Sequence, residues 1–290
     1  MSKRTDLAIE SATSICSVAP IEGIIKKVDF YESEQIEITE ISVESQKASE
    51  ILDRPIGKYI TLENVEGCFS LYSDLYNEQV ELLAKQLKKL IPEETEKIMV
   101  VGLGNTGITP DSLGPVSADK IFATRHIKRL AKDIDTSDLK EITVVKTGVM
   151  AQTGLESSEY VKAVIKQTEP QLVVAVDALA CSDISHLGTT IQLTDTGISP
   201  GSGVENARKE LSAKTLGIPC IAVGVPTVAD MNTLAEAMCE GDVNSEFNGM
   251  IVTPKSIDNL IIRTASIIST AMNRVFHPTL TDEEITSLIF

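Results

Sequence analysis

Two aspartates stand just past strand-like apolar runs, where together they could split a stable bond with water. Asp111 lies in Ile98-Met-Val-Val-Gly-Leu-Gly-Asn-Thr-Gly-Ile-Thr-Pro-Asp-Ser-Leu-Gly-Pro115, and Asp177 closes Gln171-Leu-Val-Val-Ala-Val-Asp177. In an open α/β sheet, ligands bind outside the carboxyl ends of the strands, where loops converge. Two carboxylates delivered to that edge can share one proton, so that one serves as base and the other as acid. The pair predicts a hydrolase with Asp111 and Asp177 as catalytic residues. Each aspartate also has a plainer alternative. Asp111 follows Pro110 and suits a helix N-cap, and Asp177 suits a polar strand end.

Other groups with chemical potential carry less. Gly102-Leu-Gly104 with Gly107 matches G-x-G-x-x-G. Pro110 interrupts the next segment, however, and no acidic strand end follows at the spacing a dinucleotide site needs. Gly102, Gly104 and Asn105 are therefore expected to form a tight turn whose backbone can approach a substrate. Ser199-Pro-Gly201-Ser202-Gly203-Val204, followed by Arg208 and Lys209, could offer backbone N–H groups to a substrate carbonyl. A plain surface loop is the alternative there. Asp195-Thr-Gly197 carries the aspartic-protease tripeptide once, whereas that class needs two copies in an all-β fold, so it reads as a turn. His126, His186 and His277 are too dispersed for a metal set, and H-E-x-x-H and a cysteine cluster are both missing. No cofactor is expected. The rival is a metal-dependent peptidase with Asp111, Asp177 and His186 as ligands. Cys181 lies near the Asp177 strand end but has no evident histidine partner.

The elements that must position these groups follow from hydrophobic period. Continuous β-branched runs at Ile98–Val101, Ile142–Lys146, Leu172–Val176, Thr190–Leu193 and Cys220–Val223 predict strands buried on both faces. Helical patterns separate them near Ser112–Lys132, Ser157–Gln167 and Asp230–Glu240, and a last helix is expected at Ser256–Val275. This alternation predicts an α/β protein with a mostly parallel sheet covered on both faces. Before it, Ile36-Glu-Ile-Thr-Glu-Ile-Ser-Val43 and Tyr59-Ile-Thr-Leu62 alternate as antiparallel strands do. Leucines at helical spacing predict a helix over Ser70–Leu90, stopped by Pro92. The expected organisation is a flexible stretch 1–20, a β-rich region 21–66 and a catalytic α/β core 67–290, together one domain. Gly241–Gly249 reads as a surface loop.

Composition narrows the class. The chain has 290 residues, enough to bury a core without staples, and 26 Lys+Arg against 42 Asp+Glu give a net charge of −16. That balance argues against nucleic acid and anionic membrane as direct partners. Five scattered cysteines without C-x-x-C suit reduced thiols rather than disulfides. Neither a secretory h-region nor an apolar run of spanning length is found, which predicts a soluble, cytoplasmic protein.

Several longer segments resemble one family. They are Arg4-Thr-Asp-Leu-Ala-Ile-Glu10, Val100-Val-Gly-Leu-Gly-Asn105, Thr109-Pro-Asp-Ser-Leu-Gly-Pro115, Thr124-Arg-His126 and Val176-Asp-Ala-Leu-Ala180. Ser199-Pro-Gly-Ser-Gly-Val204, Gly224-Val-Pro-Thr-Val-Ala-Asp230 and Val252-Thr-Pro-Lys255 continue the series. In order and over nearly the whole chain, they are similar to the germination proteases of endospore-forming bacteria. The resemblance implies an endopeptidase of the spore core that degrades small acid-soluble spore proteins and assembles as a homotetramer. It implies a zymogen that cuts its own N-terminus at Asp6–Leu7, since Thr5-Asp-Leu-Ala-Ile-Glu10 resembles the substrate cleavage motif. Residues 1–6 would then be a short propeptide. The family's proposed catalytic aspartates fall on Asp111 and Asp177. The implied fold is a three-layer, phosphorylase/hydrolase-like α/β fold, similar to hydrogenase-maturation endopeptidases, whose metal-binding histidine has no clear match here. The leader before Leu7 and the stretch between Cys239 and Met250 are both shorter than the family pattern. A non-catalytic scaffold homolog is the remaining alternative.

Overall fold

The valine- and isoleucine-rich runs of the central segment form strands buried on both faces, the arrangement that continuous apolar runs favour. The structure is a computed structural model and describes residues 5–16, 21–69, 74–131, 135–199, 209–231, 234–235 and 250–289. Its strands are β1 (Ile24–Tyr31), β2 (Ile36–Val43), β3 (Gly57–Asn64), β4 (Lys97–Leu103), β5 (Glu141–Gly148), β6 (Leu172–Cys181), β7 (Thr190–Thr194), β8 (Cys220–Asp230) and β9 (Ile251–Val252). All join one sheet of order β1-β2-β3-β7-β8-β6-β4-β5, with β9 paired to the end of β8. The run β5-β4-β6-β8 is parallel, and the wing β8-β7-β3-β2-β1 is antiparallel.

Helices cover both faces, giving three layers. On one face the helices Tyr76–Leu90 and Ile257–Phe276 bring Val80, Leu83, Leu87, Leu260 and Ile268 onto Val100, Val174, Val176 and Ile221. On the other, Val161 of the Ser157–Thr168 helix packs with Val101, Val173 and Ala175. Farther along that second face, Leu7, Ala8, Ile9 and Ala12 pack on Leu179 and Cys181. Odd-numbered residues of β6 therefore face this second side, as strand alternation requires.

The structure departs from the sequence expectations in instructive places. Thr190–Leu193 was expected among parallel strands, but β7 runs antiparallel to both neighbours. The connection Ser182–Thr189 is too short for a parallel crossover, which needs about a dozen residues or more. The sheet is therefore mixed, parallel only in its β5-β4-β6-β8 part. Asp177 does not close its strand, because β6 continues to Cys181. The single helix expected over Ser112–Lys132 is two pieces, Leu113–Ala118 and Arg125–Leu130, preceded by a 3-10 turn Thr109–Asp111, and Lys132 lies outside the described residues. Asn273 interrupts it, accepting from Phe122 N–H at 3.0 Å and donating to Lys120 C=O at 2.9 Å. Thr124 then takes the chain to the edge of β5, where its N–H donates to Ile142 C=O at 3.1 Å. The expected Ser70–Leu90 helix begins at Tyr76, and residues 70–73 lie outside the described residues. Most of the expected Asp230–Glu240 helix and the Gly241–Gly249 loop also lie outside them, while Asp230 itself ends β8. Within the stretch 1–20, expected to be flexible, residues Ala8–Cys16 form a helix held by the burial of Leu7, Ala8 and Ile9.

Candidate active site

Strand connections create the crevice. From β4 the chain crosses to β5 on one side, then returns past β4 to β6 on the other, so the order reverses between β4 and β6. The helix Leu113–Ala118 lies on the first face and Ser157–Thr168 on the second, so the two crossovers use opposite faces. Such a reversal point is where open α/β sheets bind ligands. The β4–β6 ladder ends at Gly102↔Val176, while β6 stays paired with β8 beyond it. Asp177 is the first residue of β6 past the end of that ladder. It is 4% exposed, and its Oδ1 accepts from Ala178 N–H at 2.9 Å.

Asp111 reaches the same edge through the loop after β4. Its C=O accepts from Asn105 N–H at 2.9 Å, and Thr227 Oγ1 of β8 donates to Pro110 C=O at 2.7 Å. Asn105 Oδ1 in turn accepts from Gly107 N–H at 2.9 Å and Gln152 Nε2 at 2.8 Å. Two glycines make this closure possible. A Cβ on Gly104 (φ +111°) would lie 2.0 Å from Asp111 O, and one on Gly114 would lie 2.4 Å from Val176 O. A side chain at either position would push the Asp111 loop off the ends of β4 and β6. Gly102, likewise, faces Gly114 O, with 2.5 Å left for a Cβ. The glycines thus serve the close packing of the chain's own Asp111 loop, where the sequence reading had Gly102 and Gly104 let the backbone approach a substrate.

A row of residues crosses the sheet beside Asp177. Gly224 of β8 pairs with Asp177 on one side and with Gln192 of β7 on the other. Residues in one row point to one face, so Gln192 and Asp177 share a face with their strands two spacings, or roughly 10 Å, apart. The missing side chain at Gly224 leaves that space to Leu179, which a Cβ there would meet at 2.5 Å. The N-terminal segment lies over this row. Gln192 Nε2 donates to Asp6 C=O at 3.1 Å, and its Oε1 accepts from Ala8 N–H at 2.7 Å. Asp6 N–H donates to Ala180 C=O at 3.0 Å, and Ala180 N–H returns a bond to Asp6 Oδ2 at 2.8 Å. Arg54 Nη2 donates to Thr5 C=O at 2.6 Å. Both amide groups flanking the Asp6–Leu7 link are thereby held, with Leu7 fully buried. A cavity of about 110 Å³ opens beside Asp6, bounded by Arg54, Tyr59, Leu179, Gln192 and Gly224 among others.

Three residues beyond Leu7, Glu10 enters a polar socket. Its Oε2 accepts from Ser182 N–H at 2.8 Å and Ser182 Oγ at 2.5 Å, and its Oε1 accepts from Asp183 N–H at 3.0 Å. His186 Nδ1 lies 2.8 Å from the same Oε1. Burial would raise the Glu10 pKa, but the hydrogen bonds from His186 and Ser182 win and hold it at about 2. For His186 burial opposes the charge, while the Glu10 carboxylate raises the pKa above the usual 6.5.

The remaining candidates fall elsewhere. His186 engages Glu10, and among the described residues no three His, Cys, Asp or Glu side chains gather as a metal-holding group. Burial lifts the Cys181 thiol to about 12, so it is not a thiolate nucleophile near neutrality. Asp195 Oδ1 accepts from Lys58 N–H at 2.7 Å and ties the β7 end to β3. Gly201, Ser202, Gly203 and Arg208 lie outside the described residues, and Lys209 pairs with Glu159 at 3.4 Å on the surface. Sequence reasoning passed over Gln192, Arg54 and the Glu10 socket. The available signal was the alternation Thr190-Ile-Gln-Leu-Thr194, which sets three polar residues on one face of an otherwise apolar strand.

Comparison with known proteins gives a consistent result. The family model described as germination protease matches residues 5–240. Over its full length the chain is 35% identical to a germination protease of Clostridium tetani, with all of both proteins covered. A Bacillus cereus germination protease is 39% identical over 79% of this chain and 64% of that protein. Among solved structures, the NiFe hydrogenase maturation protease HycI from Thermococcus kodakarensis KOD1 aligns with TM-score 0.36 and 18% identity, over 64% of this chain and 98% of that one.

Proposed function

Because the chain belongs to the germination protease family, we propose that it is an endopeptidase that degrades small acid-soluble spore proteins by an aspartate pair. Peptidase activity of the spore-germination type follows from the family itself. The finer points are our own: the substrate, the aspartate pair, synthesis as a self-cutting zymogen, homotetramer assembly and residence in the spore core. The observation that supports the self-cutting and the aspartate pair is the seating of Thr5–Glu10 across the Gln192–Gly224–Asp177 row, with the Asp6 carbonyl held by Gln192; the other points rest on the family.

In this scheme one of Asp111 and Asp177 takes a proton from water, whose oxygen bonds to the scissile carbonyl carbon. Gln192 donates to the carbonyl oxygen as it gains charge. The C–N bond then breaks as the other aspartate, held protonated beside its charged neighbour, gives its proton to the leaving amine. The two carboxylates titrate as a unit, so acid and base roles belong to the pair. Asp6–Leu7 is the chain's own scissile bond in this scheme. The test is to incubate the chain with a small acid-soluble spore protein and read the fragments by mass spectrometry. Cuts after an acidic residue followed by an apolar one are the expected result. A spore protein left whole by folded chain would overturn it.

A further inference from the structure

One strand carries neighbours of both aspartates. Gly224 of β8 pairs with Asp177, and three residues later Thr227 donates through Oγ1 to the Pro110 carbonyl at 2.7 Å. That carbonyl belongs to the peptide group joining Pro110 to Asp111. The N–H of the same group donates to Ile108 C=O at 2.9 Å, so the plane entering Asp111 is fixed at both ends. Asn105 holds the plane leaving it, through Asp111 C=O. Ile108 and Asn105 belong to the loop, so they set its shape rather than its place. Thr227 comes from the sheet, and ties the loop to the strand that pairs with Asp177.

The strand is irregular at this point, and the irregularity aims the hydroxyl. On β6, Leu179 pairs with Pro226 and Ala180 with Val228, which leaves Thr227 as the extra residue of a β-bulge. Val225 packs on the first face with Ile221 and Val223, whereas Ala229 packs on the second with Leu179 and Cys181. Residues four apart in an unbroken strand share a face, so the bulge turns β8 over at Thr227. Pro226 suits the break, because it lacks the N–H that a ladder needs. Neighbours satisfy the carbonyls on both sides of it. Gly188 N–H donates to Pro226 C=O at 2.8 Å, and Thr253 Oγ1 donates to Thr227 C=O at 2.9 Å. Thr227 is fully buried, so solvent does not compete for its hydroxyl. Bulges are enriched next to active sites, where they re-aim a side chain. We propose that Thr227 is a positioning residue, which sets Asp111 against Asp177 by holding the Pro110 carbonyl. The inference rests on the two aspartates acting as a pair.

Thr227→Val keeps the branched shape and removes the donor, while Thr227→Ser keeps the donor. With a small acid-soluble spore protein as substrate, Thr227→Val is expected to lower kcat about tenfold to a hundredfold, as small displacements of a reacting group do. KM should stay unchanged. The bell of kcat against pH should narrow, because carboxylates held less closely split their two apparent pKa values less. Thr227→Ser should restore both rate and profile. In an Asp111→Asn background Thr227→Val should slow cleavage no further, since its effect passes through Asp111. A bond that only supports the fold would lower the melting temperature and leave kcat and the pH profile of folded enzyme alone. That result would overturn the proposal, as would an equal loss in both backgrounds. Hydrogen exchange at the Asn105, Ile108 and Asp111 amides reads the anchor without chemistry. Protection there should fall in Thr227→Val and return in Thr227→Ser, and unchanged protection would also overturn it. If wild type leaves the spore protein whole but the loop loosens as stated, the anchor stands and the aspartate-pair reading fails.

Discussion

Asp177 is buried at the point where β6 loses β4 as a neighbour, and Gln192 faces the same space from two strands away. A carbonyl in that space meets a fixed amide donor, which is worth most where charge develops. Gln192→Ala is therefore expected to lower kcat for spore-protein cleavage by roughly 10²-fold, with a smaller effect on KM. A change confined to KM would reduce Gln192 to a binding contact. At this scale the sequence was unevenly legible. Asp111 and Asp177 could be singled out because each follows its own strand-like run. Gln192 could not, because its role comes from the register Gln192↔Gly224↔Asp177, which joins residues distant along the chain. His186, expected on a loop surface or as a metal ligand, pairs instead with Glu10 across 176 positions. No local pattern announces such a pair.

Elements explain how the N-terminal segment is held on the sheet. The N-terminal helix Ala8–Cys16 stays on the sheet through apolar packing by Leu7, Ala8 and Ile9 and through the Glu10–His186 pair. The pair makes docking depend on pH. Glu10, lowered from 4.5 to about 2, contributes fully above 4.5, and its share is lost as pH falls toward 2. His186, raised above 6.5, contributes fully below 6.5, and its share is lost as pH rises through its folded value. Docking should thus be tightest between about pH 4.5 and 6.5 and loosen on the alkaline side. Hydrogen-exchange protection of residues 5–16, corrected for intrinsic rates, should fall from pH 6 to pH 8, and Glu10→Gln should abolish that fall. Protection that stays level over this range would contradict the coupling. Strand and helix types were largely legible from period, since buried β-branched runs and leucine spacing report local geometry. Their limits were not. The break in Ser112–Lys132 arises from Asn273, on a helix far along the chain, whose amide takes over the backbone groups of Lys120 and Phe122.

The whole molecule is a mixed sheet whose parallel part makes the crevice and whose antiparallel wing, through β7, supplies Gln192. The α/β class and two-sided helical cover followed from alternating strands and helices. The antiparallel sense of β7 did not, because strand direction is set by connections and packing rather than by the residues of the strand. The central proposal also belongs to this scale: that Asp111, from the loop after β4, and Asp177, from β6, act at one sheet edge as a single catalytic unit. Groups that act as a unit do not contribute additively. The most direct test is the cleavage rate of a small acid-soluble spore protein by wild type, Asp111→Asn, Asp177→Asn and the double variant, with folding checked by circular dichroism. Each single change is expected to lower the rate by about 10³-fold or more, with the double variant no slower than either. A single variant that keeps wild-type activity, or two losses that multiply in the double, would contradict it.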